Sequence, residues 1–237
     1  MLRRVKALGE EPTQTESSPV TVILTNWKRP KNLRTIIDQL TTQTVKPVIF
    51  LWNNGKEFSH PAIRWKVDSS VNMACLPRWW MASCARTEFV CIMDDDLCFT
   101  DTAVLEDVIR IAREKKEFPI IGLFGVCFQS DKEYQHCKHI NQPTQTNIVA
   151  DMIKGRFMLI RTNMLQRIFL CPSPPRDALV ADDIFVSGTL ANGKAGAHLT
   201  LGGFGKRFIE LPSHHALQKE PDHFEQRERA RRRYFSI

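Results

Sequence analysis

No cysteine pair in this chain has C-x-x-C spacing, and the count of seven is odd. That argues against a disulfide framework and points to a reducing compartment. Several of the cysteines, such as Cys91, lie inside apolar runs, where a free thiol packs as a small hydrophobe. His136-Cys137-Lys138-His139 offers potential metal ligands but lacks a second ligand pair, so an ordinary polar loop is the better reading. A run of eighteen apolar residues is also missing, so no membrane helix is expected. The N-terminal stretch MLRRVKALGEEPTQTESSP has basic residues but no apolar h-region, unlike a secretory signal. Together these absences give a cytoplasmic expectation. Internal repeats are absent, as are helix-turn-helix, zinc-finger and RNA-recognition signatures.

What is present is a core and a positive charge. The 237 residues are 43% hydrophobic, enough for one large core. A net charge of +7, from 33 basic and 26 acidic residues, suits phosphate-bearing or acidic partners. Charge alone does not choose among nucleotide, nucleic acid, polyanion and membrane surface.

Residues 1–18 are polar and form an N-terminal arm expected to be flexible; residues 19–237 form one domain. Strands are expected at 20–24, 47–52, 63–67 and 88–93. The first helix begins at Pro30 and carries Leu33, Ile36, Ile37 and Leu40 at helical spacing. A second helix spans 75–85. In it adjacent Trp79 and Trp80 point different ways, so at least one belongs to the core. A third helix follows Asp101, a candidate N-cap, with a stripe of Val104, Leu105, Val108, Ile109 and Ala112. This alternation predicts a mostly parallel sheet with helices on both faces. Beyond it the pattern loosens. A strand is expected over 120–128, a loop or edge hairpin over 129–147, and strand-like stretches around Gly155. Thr162 is a candidate cap for a short helix through Ile168. Residues 171–175 read as a rigid loop, and Asp182-Asp183 opens a helix through Leu190. Glycines 193, 196, 202, 203 and 205 mark a flexible stretch, and a basic helix closes the chain.

Three strand ends carry chemistry. The first is Thr25-Asn26-Trp27-Lys28-Arg29, the second Trp52-Asn53-Asn54-Gly55, and the third Asp94-Asp95-Asp96. In an open α/β sheet such ends line the ligand crevice. Amides can read a base edge, arginine can hold phosphate, and clustered carboxylates favour a hard divalent ion. The plainer reading of the triplet is an acidic turn before a helix. For Asp182-Asp183 it is simple N-capping.

These motifs, with Asp182-Asp183-Ile184 further on, resemble those of a GT-A glycosyltransferase, closest to the exostosin-like (and family 2-like) branch. Asp94-x-Asp96 looks like that family's DXD motif. The similarity covers roughly residues 20–215. It implies a Rossmann-like GT-A domain, with a nucleotide-binding half over 19–100 and a smaller acceptor-side region over 101–237. It implies a nucleotide-sugar donor, UDP-linked by preference, with Mn²⁺ or Mg²⁺ on its diphosphate, and a glycan or other hydroxyl acceptor. By position, Thr25, Asn26 and Arg29 would lie near the nucleotide, Asn53 and Asn54 near the uracil, and Asn72 and Arg78 near base or phosphate. Asp96 would ligate the metal, with Asp94 and Asp95 shaping the ribose and metal environment. Asp183 would face the reacting sugar, its pKa lowered by the helix dipole, and Asp182 would support it or bind acceptor. His214 or His215 would reach the metal or diphosphate. Arg227, in the basic tail, would reach phosphate; the tail could otherwise be a solvated face or a peripheral membrane contact. Retention of configuration is the favoured expectation, with inversion left open.

Two other classes remain beside it: a basic nucleic-acid-binding module and a sugar-nucleotide binder without turnover. A D-x-D after a strand also occurs in haloacid-dehalogenase-type phosphotransferases. Those place Thr or Val after the motif, where this chain has Leu97-Cys98.

Overall fold

The computed structural model describes residues 18–142, 144–170, 179–213 and 222–236. His214 and His215, the 171–175 loop and nearly all of the N-terminal arm lie outside the described residues.

Strand β1 (Val20–Asn26) is followed by helix α1 (Pro30–Thr42), then β2 (Val48–Asn53) and β3 (Ile63–Asp68). Helix α2 (Pro77–Ala82) precedes β4 (Phe89–Met93). These four strands run parallel in the order β3-β2-β1-β4, with Asn26 opposite Asn53 and Leu24 opposite Met93. That register aligns the chemically marked strand ends along one edge of the sheet. Helix α1 buries the expected stripe of Leu33, Ile36, Ile37 and Leu40. Helix α2 is shorter than expected because Pro77, lacking an N–H, sets its first turn. Within it Trp79 is 1% exposed in the core and Trp80 44% exposed against Trp52. Helix α3 (Val104–Glu114) buries all five stripe residues. Asp101 accepts from the Ala103 N–H at 2.7 Å, so it fastens the turn before α3 instead of capping the helix.

The sheet continues as β11-β6-β12-β9: β11 (Phe157–Arg161), β6 (Ile120–Gly122), β12 (His198–Thr200) and β9 (Ile148–Ala150). β11 is antiparallel to β4 and β6, β12 is parallel to β6, and β9 is antiparallel to β12, so six of the eight strands share one direction. The single strand expected over 120–128 is two. β6 joins the main sheet, whereas β7 (Gly125–Cys127) turns away to pair with β8 (Lys138–Ile140) and β10 (Met152–Ile153). The polar segment after 128 therefore does contain an edge strand. His139 bonds the Tyr134 carbonyl at 2.9 Å instead of joining a ligand cluster. The glycine-marked stretch also contains order: β12 is buried in the main sheet, and β13 (Phe208–Glu210) pairs with β5 (Leu97–Phe99), just past the acidic triplet.

Two apolar layers sandwich the sheet. Val20, Val22 and Leu24 pack with α1 and α3 on one face. Ile23 and Phe50 pack on the other with α2, α4 (Gln166–Phe169) and α5 (Asp182–Ala191). Thr162 does not cap α4, since its buried hydroxyl has no hydrogen-bond partner. Helix α6 (His223–Tyr234) crosses α5 closely. A Cβ on Gly188 would stand 2.6 Å from the Tyr234 Cβ, so only glycine permits the approach. The six described cysteines are free thiols. Among the described residues no helix is long and apolar enough to cross a membrane.

Glu228 fixes α6 in place. It accepts from the Tyr134 N–H at 2.7 Å and from Arg231 and Arg232 at 2.6–2.9 Å. Burial pushes its pKa up, but those donors outweigh it and hold it down to about 2, against an ordinary 4.5. Its stabilising contribution is therefore complete above about pH 4.5 and lost as pH falls through about 2. Glu228→Gln is expected to lower stability to urea at neutral pH, with the gap to the parent protein closing between pH 4.5 and 2. A gap that persists at pH 2 would contradict this account.

Candidate active site

A cleft of about 520 Å³ opens at the C-terminal ends of β1 and β4. Thr25, Trp27, Arg29, Asn54 and Asn72 line one end, Asp94, Asp95 and Asp96 the floor, and Asp182, Asp183 and Arg227 the far side. The chain positions these groups by simple means. β4 is buried along its length and ends at Met93, which forces the next three carboxylates out at the sheet edge. α5 begins at Asp182, so its first turn delivers two more. A second cavity, of about 540 Å³, lies at the opposite end of β4 beside Thr87, Glu88 and Thr162, and none of the five aspartates lines it.

Like charges at this density need counterions. Three arginines supply them. Arg29 pairs with Asp95 and, at 3.1 Å, with Asp96. Arg78, 2% exposed, donates to Asp182 at 2.8 Å and to Asp94 at 2.9 Å, joining the end of β4 to the start of α5. Arg227 places one nitrogen 2.9 Å from both oxygens of Asp183 and lies over the Tyr134 ring. Arg78 also explains Gly155. A Cβ there would fall 2.1 Å from the guanidinium, so a larger residue would push Arg78 off its carboxylates.

These contacts separate the carboxylates chemically. Burial raises Asp94 to about 7, with Arg78 opposing and Asp96, Asp95 and Asp182 reinforcing the rise. Burial raises Asp95 to about 6 against the pull of Arg29 and the Trp27 N–H. Asp182 is also raised, by burial and by neighbouring Asp183, despite Arg78 and the Trp79 indole N–H at 2.7 Å. Asp183 goes the other way. Burial works against its charge, but Arg227, Arg78 and the Gly155 N–H hold its pKa below the ordinary value. The ion pair with Arg227 leads these lowering contributions, so the helix dipole invoked from sequence is not needed to explain it.

Three buried side-chain atoms lining the cleft have no hydrogen-bond partner: Thr25 Oγ1, Arg29 Nε and Asp96 Oδ1. Arg156 stands 3.8 Å from Asp96 Oδ1, beyond hydrogen-bond range. An N–H without an acceptor is of the type that a phosphate oxygen satisfies, and a carboxylate oxygen without a donor is of the type that a cation satisfies. Asp96 Oδ1 is an oxygen of the hard type that a divalent ion takes. Among the described residues, though, no group of three or more His, Cys, Asp or Glu stands in ligating arrangement.

Several residues singled out from sequence occupy other positions. Asn26 and Asn53 are 1% exposed and bond to each other at 2.7 Å behind the cleft wall. Asn54 lines the cleft, but its amide is committed to the Trp52 indole, the Met73 N–H and the Ala74 carbonyl. Asn72 likewise binds the Ala74 N–H at 3.0 Å. These two amides hold Ala74 at a positive φ of 52°, so they build the wall of the cleft. Sequence reasoning missed Tyr134, Lys154, Arg156 and His223, all of which line the cleft. Only the basic residues flanking Gly155 gave a signal, and spacing alone does not tie them to the aspartates.

No protein-family model matches the chain, and no curated protein matches it. Solved structures do. The mannosyltransferase PcManGT from Pyrobaculum calidifontis, in complex with GDP-Man and Mn²⁺, matches with a TM-score of 0.54 at 14% identity, over 78% of this chain and 55% of its own. S. aureus TarS matches with a TM-score of 0.55 at 14% identity, over 82% of this chain and 37% of its own. TarS 1-349 in complex with UDP gives 0.54 at 15% identity, over 82% and 60%. The chain thus spans between 37% and 60% of the length of these three structures.

Removing Arg78 would leave Asp94 and Asp182 without their shared counterion. Arg78→Met is expected to cost about 3–5 kcal/mol of stability. Arg78→Lys should recover less than half, because a single ammonium does not span two carboxylates as a planar fork does. Urea denaturation of both variants measures this, and parental stability in Arg78→Lys would refute it. With its strand ends, acidic edge and helix-covered faces, the chain has a glycosyltransferase fold of the GT-A type.

Proposed function

We propose that the protein is a glycosyltransferase that moves a sugar from a nucleotide-diphosphate donor to a hydroxyl acceptor, assisted by Mn²⁺ or Mg²⁺. The observation that carries this is the unsatisfied pair at the cleft floor: Arg29 Nε, a donor without an acceptor, and Asp96 Oδ1, a carboxylate oxygen without a donor. A diphosphate with its divalent ion satisfies both at once. The complexes of two structural neighbours, one with GDP-Man and Mn²⁺ and one with UDP, point the same way.

In this reading the nucleotide lies toward Thr25 and Trp27, and Asp96 holds the cation with Asp94 and Asp95 beside it. A divalent ion held there would supply neutralisation of the charge that grows on the departing diphosphate. Arg29 orients the phosphates through the N–H left over from its carboxylate pairs. Asp183 faces the sugar as an ionised carboxylate. Its pairing with Arg227 makes it a weak base, so it stabilises positive charge at the sugar carbon instead of taking the acceptor proton. Asp182 is a positioning residue, because its one described role is to fix Arg78 and Trp79.

A thermal-shift screen of UDP, GDP and their sugars, with and without Mn²⁺, tests the reading, since a ligand that binds the native state raises its apparent stability. A metal-dependent shift with at least one nucleotide is expected. Asp96→Asn should fold normally and lose the metal-dependent part of that shift, and a shift of parental size in this variant would overturn the assignment of Asp96. Asp183→Asn should keep the nucleotide shift while transfer falls at least about 100-fold. Loss of nucleotide binding in Asp183→Asn would instead place that residue in the donor site.

A further inference from the structure

The cavity at the other end of β4, about 540 Å³, matches the cleft in size, and the transferase reading makes no use of it. One of its walls comes from a single stretch of chain. β11 ends at Arg161, a 3-10 turn follows over Thr162–Met164, and α4 continues it. Asn163, Gln166 and Phe169 recur at every third residue, so they lie along one face of this coil, and all three line the cavity. Neither amide makes a side-chain hydrogen bond among the described residues. Phe169 is 43% exposed, whereas its neighbour Ile168 is buried in the core. Thr162 adds a buried hydroxyl with no partner, a group that costs about 1–3 kcal/mol when left unsatisfied. A solvated helix face accounts for the two amides. It does not account for a half-exposed phenyl ring beside an unpaired buried hydroxyl.

The charged groups of this cavity are already paired. Glu88 accepts from Arg113 at 2.6–3.3 Å, and Arg161 donates to the Ala112 carbonyl and lies over the Phe89 ring. The wall therefore offers hydrogen-bonding groups and an aromatic face without a strong field of either sign. An anion would meet the Glu88 carboxylate, and an acyl chain would desolvate the free amides. A neutral sugar suits every group. Its hydroxyls both donate and accept, as the amides and the threonine do, and the C–H face of a pyranose lies flat on a phenyl ring. We propose that this cavity is a second carbohydrate site, separate from the cleft, that takes a neutral sugar residue over Phe169 with Asn163, Gln166 and Thr162 on its hydroxyls. Its volume is in the usual range for small-ligand pockets, about 300–1,000 Å³. The site does not need the transferase reading. Where both hold, a glycan bound here is tethered to the enzyme that acts on it, which raises its effective concentration at the cleft.

Calorimetric titration with three neutral trisaccharides, mannotriose, cellotriose and triacetylchitotriose, tests the proposal. At least one is expected to bind with a Kd near or below about 1 mM, the strength of a half-open site. Phe169→Ala should weaken that binding at least about tenfold. Thr162→Val should also weaken it, while the unliganded melting temperature stays level or rises, because a methyl group of similar shape replaces an unpaired hydroxyl. Asp183→Asn should bind the trisaccharide as the parent protein does. Absence of binding by all three up to about 10 mM would overturn the second site. So would binding that survives both Phe169→Ala and Thr162→Val. Binding lost in Asp183→Asn would move the sugar to the cleft, overturning this inference and leaving the transferase reading in place. Failure of UDP to bind would do the reverse.

Discussion

The Arg78 guanidinium is the constraint on which the site depends. It is almost fully buried and bonds Asp94 at the end of β4 and Asp182 at the start of α5. The helix start could not carry the buried Asp182 carboxylate without it, because an isolated charge in that environment costs several kcal/mol. The same group packs against Gly155 and so fixes the turn that carries Lys154 and Arg156. Through one side chain the acidic floor, the far wall and the basic turn become a single rigid unit.

Electrostatics then assigns different tasks to similar residues. Asp182 and Asp183 are adjacent in sequence and almost equally buried, yet burial raises one and an arginine lowers the other. The difference comes from α6, which reaches back from the end of the described chain to place Arg227 on Asp183. The basic tail is in large part not a free positive face. Arg227 is taken by Asp183, Arg229 by Glu225, and Arg231 and Arg232 by Glu228. That weakens the case for a membrane-binding or nucleic-acid-binding tail, which rested on the arginine count.

Much of the first half was legible in the sequence. The apolar spacing of α1 and α3, the strand runs and the punctuation at Pro30 gave elements close to those observed. The second half was not, for a definite reason. Its strands are two to five residues long and several are distributed between sheets, as where 120–127 splits into β6 and β7. So short a run shows no period, and its partner is chosen by contacts distant in sequence. The partners of the asparagines were not legible for a related cause. A turn signal such as Asn53-Asn54-Gly55 is the same whether the amides face a ligand or each other. Here Asn26 and Asn53 are register partners and satisfy one another.

The sequence by itself determined that an acidic triplet would emerge at the end of a buried strand, because a fully apolar run cannot continue through three carboxylates. It likewise determined that a second acidic pair would open a later helix, and that the leading part of the chain would form an open parallel sheet. Only the tertiary structure decided which arginine neutralises which aspartate, and which buried polar atoms of the cleft residues are left unsatisfied. Those outcomes depend on distances between groups separated by 16 to 104 positions along the chain. Local propensity carries no information about such distances, and the Coulomb energy that matters here depends on little else.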